Sequence, residues 1–266
     1  MSLFLLSAGT LWQREIVRFL RQLSRIVGAL GQPILFWLLL GAGFGNSFRA
    51  PGGGSGNYLE YFYPGILAMV ILFTAIFATI AVVEDRKERF LQAVLVAPAP
   101  RAAIVLGQAL GATTLALLQG LILLAAAPLA GVPLTLSSAA ATAGIMALIG
   151  FALTSLGLVF AWRLDSTQGF HSIMNLVLLP LWLLSGAVFP ALSAHPMLGW
   201  VMKINPLTYG VAALRRTLYA AQPGALDHLP GLGVSLAVTV LFGLAAFMAA
   251  VRYASRSDGL SNPNER

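Results

Sequence analysis

The spacing of the charges constrains this chain more than any other feature. Residues 26–48, 61–83 and 102–162 contain no Asp, Glu, Lys or Arg. Charge at mid-bilayer is costly, and a helix of about 20 apolar residues crosses the hydrocarbon core. With 58% hydrophobic residues and a mean hydropathy of +0.85, the chain reads as an integral membrane protein. The 61 charge-free residues of 102–162 are too many for one crossing. Gly131, Pro133 and Ser137 in "AGVPLTLSS" split that interval by turn chemistry. The expected fold class is all-α integral membrane, with six transmembrane helices at about 26–46, 62–83, 104–130, 138–161, 168–189 and 231–251.

Counting Lys and Arg orients the spans. With the N-terminus cytoplasmic, twelve of the 16 basic residues lie inside and four (Arg49, Lys203, Arg215, Arg216) outside. Both termini, including the tail 256–266, are therefore expected in the cytoplasm. The net charge of +7 fits this positive-inside bias better than nucleic-acid binding.

The negative findings narrow the function. There is no Cys, and His171, His195 and His228 stand apart, so no metal set is expected. Neither Lys87 nor Lys203 follows a P-loop glycine pattern, so the chain has no nucleotide site of that kind. The expected spans hold hydroxyls and amides but no acids for ion coupling or hydrolysis. An enzyme is not expected, and energy for any transport must come from another subunit.

Three segments outside the spans carry pattern. Within residues 1–25, Trp12, Ile16, Phe19 and Leu23 recur at helical spacing with Arg14, Arg18, Arg21 and Arg25 on other faces. This suits a helix in the cytoplasmic interface, or else a basic flank of the first span. Residues 84–97 gather Glu84, Asp85, Arg86, Lys87, Glu88 and Arg89 ahead of an apolar row of Phe90, Val94 and Ala97, with Leu91 and Leu95 beside it. Acids in a first turn favour a helix beginning at Glu84, and Pro98 and Pro100 forbid its continuation. Such a short amphipathic helix of mixed charge has the anatomy of a docking element, the alternative being a solvated loop. The external region 190–230 contains Asn205–Pro206, an N-cap and first helical residue, followed by an apolar stripe of Leu207, Val211, Leu214 and Leu218. It is expected to hold re-entrant helices or a surface cap.

"EDRKERFLQAVLVAPAPR" at 84–101, "PLWLLSGAVFP" at 180–190 and "INPLTYGVAALRR" at 204–216 together resemble the permease subunits of type-2 ABC exporters. The resemblance is strongest to the daunorubicin-type, multidrug-exporting branch, and with the six-span layout it covers nearly the whole chain. One departure is Glu88–Phe90, where many relatives have Gly or Ser. The resemblance implies a bacterial inner-membrane permease that pairs with a second permease chain, as a probable homodimer, and docks two ABC ATPase subunits. ATP and Mg would be bound by those subunits, with no cofactor on this chain. Residues 84–97 would be the coupling helix, with Glu84, Asp85, Arg86, Lys87, Glu88, Arg89, Phe90, Val94 and Leu95 at the docking surface. Arg14, Arg18 and Arg21 of the interface helix would touch the same subunit. The family's path between the second and fifth spans places Phe73, Phe77, Asn175 and Trp182 as path residues here, suited to a hydrophobic or amphiphilic compound moved by alternating access. Export of a lipid-linked polysaccharide, or a non-transporting scaffold, are the alternatives.

Overall fold

A computed structural model describes residues 3–21, 23–44, 58–88, 90, 94, 99–188, 195–220, 226–227 and 229–256. Among these residues the regular elements are helical and no strand occurs. Ten α-helices follow in order: α1 (Leu3–Leu20), α2 (Leu23–Phe44), α3 (Tyr58–Ala78), α4 (Ile80–Lys87), α5 (Arg101–Ala125), α6 (Leu136–Ala161), α7 (Thr167–Leu183), α8 (Pro196–Ile204), α9 (Pro206–Leu218) and α10 (Leu232–Arg256). Five stretches are long and apolar enough to cross a membrane: Tyr58–Lys87, Arg101–Ala125, Leu136–Ala161, Thr167–Ala187 and Leu232–Arg256. They fall on the second to sixth expected spans. The first expected span falls on α2, which carries a shorter apolar stretch, Leu30–Leu40.

The break between α5 and α6 lies where the turn chemistry places it. A 3-10 turn over Ala127–Ala130 ends on Gly131 at φ 80°, a left-handed conformation that glycine adopts without Cβ strain. Thr135 then caps α6 in a reciprocal arrangement with Ser138.

The second span forms the centre of the molecule: 89% of its apolar window is buried, against 28% for α10 at the periphery. Helices α2, α5, α6, α7 and α9 pack around α3. Hydrogen bonds from buried side chains tie these helices together, Thr74 to Gln119 at 2.5 Å and the Tyr63 hydroxyl to the Leu123 carbonyl. Pro64 has no N–H for the carbonyl four residues earlier, that of Glu60. The Tyr219 hydroxyl takes that carbonyl instead, at 2.5 Å, and so fastens the end of α9 to the start of α3.

Two short helices, α8 and α9, lie within the region expected to be external. Asn205 accepts a hydrogen bond from the Leu207 amide at 2.9 Å, and Pro206 opens α9. Arg216 binds the carbonyls of Leu226, Leu229 and Pro230. Arg215 is buried, donates to the Gly186 carbonyl at 3.1 Å and lies 4.0 Å above the Tyr61 ring.

The helix expected to begin at Glu84 begins earlier. The second span continues through a turn at Thr79, whose hydroxyl binds the Ile76 carbonyl at 2.6 Å, into α4, which ends at Lys87 with Glu88 as C-cap. Glu84 and Asp85 therefore sit near a helix C-terminus, where the dipole disfavours acids, and they need cationic partners. Phe90 and Val94 are helical; Arg89, Leu95 and most of the remaining 89–98 segment lie outside the described residues.

Candidate functional site

The charged end of the second span is a junction between three parts of the chain. Asp85, 2% exposed, receives both arms of Arg14, at 2.6 Å and 2.7 Å, and Arg18 at 2.9 Å. Arg18 also reaches Glu84 at 2.7 Å. The next residue points the other way. Arg86 donates to the Asp165 carboxylate at 2.6 Å and to the carbonyls of Ala161, Trp162 and Leu164 at 3.4, 3.1 and 3.3 Å. These are carbonyls at the C-terminal end of α6, so Arg86 satisfies groups the helix itself leaves open. Lys87 bonds the Thr167 hydroxyl at 3.3 Å, at the start of α7.

Thus α4 is fastened to α1 on one side and to the α6–α7 turn on the other. Asp85 is engaged within the chain, and Glu84 and Arg86 share that work. Lys87 and Glu88 are exposed, and Phe90 lies half-buried with the Arg14 guanidinium 3.9 Å from its ring centroid. Val94 packs at the edge of the core. Arg21 is exposed just beyond α1.

Helix α1 lies close on α5. A Cβ on Gly107 would stand 2.6 Å from the Ala8 carbonyl oxygen, and one on Gly111 would stand 2.7 Å from the Glu15 Cβ. Glu15 is buried in this seam beside Arg14, 3.1 Å away. Burial pushes the Glu15 carboxyl above its ordinary value, with Arg14 opposing that rise.

The expected path residues divide into two groups. The Phe73 and Phe77 rings lie 5.7 Å apart, and Phe77 lies 5.3 Å from the His171 ring. Together with Phe19 of α1 and Pro33 of α2 they line a cleft of about 300 Å³. Asn175 is exposed and lines a neighbouring open recess of about 610 Å³ with Glu84, Lys87, Glu88, Thr167 and His171. Trp182 lines neither. It is 1% exposed, donates to the Gly65 carbonyl at 2.8 Å and meets Phe36 and Phe62 edge-on, so its contacts are packing contacts. Sequence reasoning singled out Asn175 but missed His171, which borders both cavities. The signal was available: Gln168, His171, Ser172 and Asn175 recur at i, i+3, i+4 and i+7 along a spanning helix.

Among the described residues no group of three or more His, Cys, Asp or Glu side chains is arranged to hold a metal ion. The candidate site comprises the ion-pair junction, the aromatic cleft and the neighbouring recess.

Comparison with known proteins identifies the family of the chain. The chain is 24% identical to the putative transport permease ycf38 of Cyanophora paradoxa over 254 residues, 92% of this chain and 88% of the relative. It is 30% identical to nodulation protein J of Rhizobium leguminosarum bv. trifolii over 207 residues, 77% of this chain and 78% of that protein. It is 25% identical to the inner membrane transport permease YadH of Escherichia coli K12 over 266 residues, 98% and 99% of the two chains. The family described as ABC-2 type transporter matches residues 7–219, from within α1 to the end of α9 and so across all the contacts just described. The chain belongs to the ABC-2 type transporter family, as a membrane-spanning transport permease.

Proposed function

We propose that this permease exports a hydrophobic or amphiphilic compound by alternating access, driven by separate ABC ATPase subunits that bind ATP and Mg. One observation carries the reading. The second span, which lines the aromatic cleft, ends in a charged turn fastened to α1 by Arg14 and Arg18 and to the α6–α7 turn by Arg86. A push on that turn would be carried to the cavity wall, because ion pairs and a packed core transmit displacement instead of absorbing it. In this reading the docking surface is Lys87, Glu88, Phe90 and the segment around Arg89 and Leu95, with Arg21 beside it. Asp85 and Arg14 hold that surface in place. Twelve basic residues on one side against four on the other favour a cytoplasmic location for this surface and for both termini, in a bacterial inner membrane. The sixth crossing would be α2. Two copies of the chain would flank the path.

The test is co-expression with a genetically adjacent ABC ATPase, co-purification in mild detergent, and ATP hydrolysis with and without Phe90→Asp. A stable complex whose hydrolysis falls in the variant supports the reading. Absence of a complex, or hydrolysis indifferent to the change, moves the chain toward a scaffold role or another motor contact. Export of a lipid-linked polysaccharide is the second reading, favoured by the hydroxyls and amides of the recess; the aromatic cleft beside it argues for a cargo with an apolar body.

A further inference from the structure

The outer face of α10 is an apolar stripe that ends in a cation. Leu241, Leu244 and Met248 are exposed and recur at i, i+3 and i+7, and exposed Arg252 continues the same row at i+11. Helix α10 is the least buried of the five spanning stretches, so in a bilayer this row meets acyl chains. Arg252 follows Met248 by about 6 Å along the axis, at 1.5 Å per residue. Its guanidinium therefore stands where the apolar surface stops, at the depth of lipid phosphates.

A second guanidinium joins it from another helix. The inner face of α10, with Gly243, Ala246, Ala250 and Ala254, is buried, and a Cβ on Gly243 would stand 3.2 Å from the Ala152 Cβ of α6. This close approach sets the ends of α6 and α10 side by side. Arg163, exposed just beyond α6, holds its guanidinium 5.0 Å from the centroid of the half-buried Tyr253 ring, next to Arg252 in the chain. Arginines at helix ends ordinarily serve open carbonyls or nearby acids. At α6 that work is done from the other flank by Arg86, which takes the Ala161, Trp162 and Leu164 carbonyls and pairs with Asp165. At α10 the last turn carries Arg256, one turn beyond Arg252. Arg163 and Arg252 make no ion pair among the described residues.

We propose that Arg163, Tyr253 and Arg252 bind the phosphate of an anionic phospholipid whose acyl chains lie along Leu241, Leu244 and Met248. Charge complementarity selects the headgroup. A zwitterionic lipid brings its own ammonium against two guanidinium groups, whereas an anionic one brings only the opposite charge. Tyr253 keeps Arg163 in position and is of a residue type that settles at headgroup depth. The site lies on the flank of α6 away from Arg86 and the charged turn, and it requires only that α6 and α10 span a membrane, whatever the chain transports.

The experiment uses the full chain in dodecyl maltoside, without any ATPase. Binding of tritiated phosphatidylglycerol is read by scintillation proximity, with unlabelled phosphatidylglycerol, phosphatidylcholine or inorganic phosphate as competitors. Phosphatidylglycerol is expected to displace the label at about tenfold lower concentration than phosphatidylcholine, the size of one to two arginine contacts at a headgroup. Inorganic phosphate, with no chains for the stripe, should not displace it even in large excess. Arg163→Gln and Arg252→Gln should each reduce the preference severalfold and together remove it, at an unchanged unfolding midpoint because both side chains are exposed. Arg256→Gln should change it less than either. A preference that survives in the double variant overturns the proposal, as do equal losses in Arg252→Gln and Arg256→Gln, which would mark diffuse attraction. Displacement by inorganic phosphate as effective as by lipid also overturns it. The tail acids Asp258 and Glu265 lie outside the described residues, so Asp258→Asn with Glu265→Gln completes the set. A preference seen only in that variant would make the arginines partners of the tail and likewise overturn the assignment.

Discussion

Arg14 and Asp85 stand 71 positions apart in the sequence and meet in a two-pronged ion pair at 2.6 and 2.7 Å. Bidentate pairing fixes the angle between α1 and the end of the second span as well as the distance. Asp85 is 2% exposed, so its truncation leaves two guanidinium groups facing a site built for an anion. Asp85→Ala is expected to destabilise by about 3 kcal/mol, in the range for breaking one partner of a buried pair. In a thermal-unfolding cycle with Arg14→Ala, the double variant should lose clearly less than the sum of the single losses. Additive losses would mean that the pair does not hold the two helices together.

Glu15 gives stability a pH dependence of known sign. It lies outside the five spanning stretches, and its folded-state carboxyl is raised above 4.5 by burial. The folded chain therefore keeps this proton where the unfolded chain has lost it. The stability from this group is complete below the unfolded value of about 4.5 and is lost as pH rises through the raised folded value. Glu15→Gln should thus raise the unfolding midpoint at neutral pH, and its advantage over wild type should shrink toward zero below pH 4.5. An advantage that grows on acidification would contradict the assignment.

The α1–α5 seam depends on the missing side chain at Gly107. Gly107→Ala drives a methyl into the Ala8 backbone, which has no flexible end to yield, and is expected to cost about 1–3 kcal/mol. Gly9→Ala, where nothing lies within 4 Å, is the control. It should be neutral or stabilising by up to about 1 kcal/mol through helix propensity. Limited proteolysis of α1 and unfolding midpoints read both.

Phe77 and Trp182 should part company in a cargo assay. Trp182→Phe loses the bond to the Gly65 carbonyl and is expected to cost about 1 kcal/mol of stability, with the cargo profile unchanged. Phe77→Ala, on the cleft wall, should alter the relative transport of different cargos at near-normal membrane levels. A changed profile in Trp182→Phe at unaltered stability would place the indole at the path.

Much of this architecture was legible in one dimension. Hydropathy is a local quantity, so the second to sixth spans could be read residue by residue, and so could the Gly131 turn and the Asn205–Pro206 start of α9. The start of the charged helix was not. Acids at Glu84 and Asp85 suggested a first turn, yet the helix of the second span runs on to Lys87. A change from apolar to charged residues marks where a helix leaves the bilayer and is no signal that it stops.

Sequence by itself determined that this chain crosses a membrane several times and where charge interrupts its apolar stretches. Those properties follow from the cost of placing each residue in hydrocarbon, a sum over single positions. Tertiary structure decided what the charges do. Asp85 faces Arg14 and Arg18, Arg86 turns to the end of α6, and Glu88 is left facing the recess with His171 and Asn175. These ion pairs join positions 67 to 79 residues apart, and only the packing of the helices brings such positions within reach.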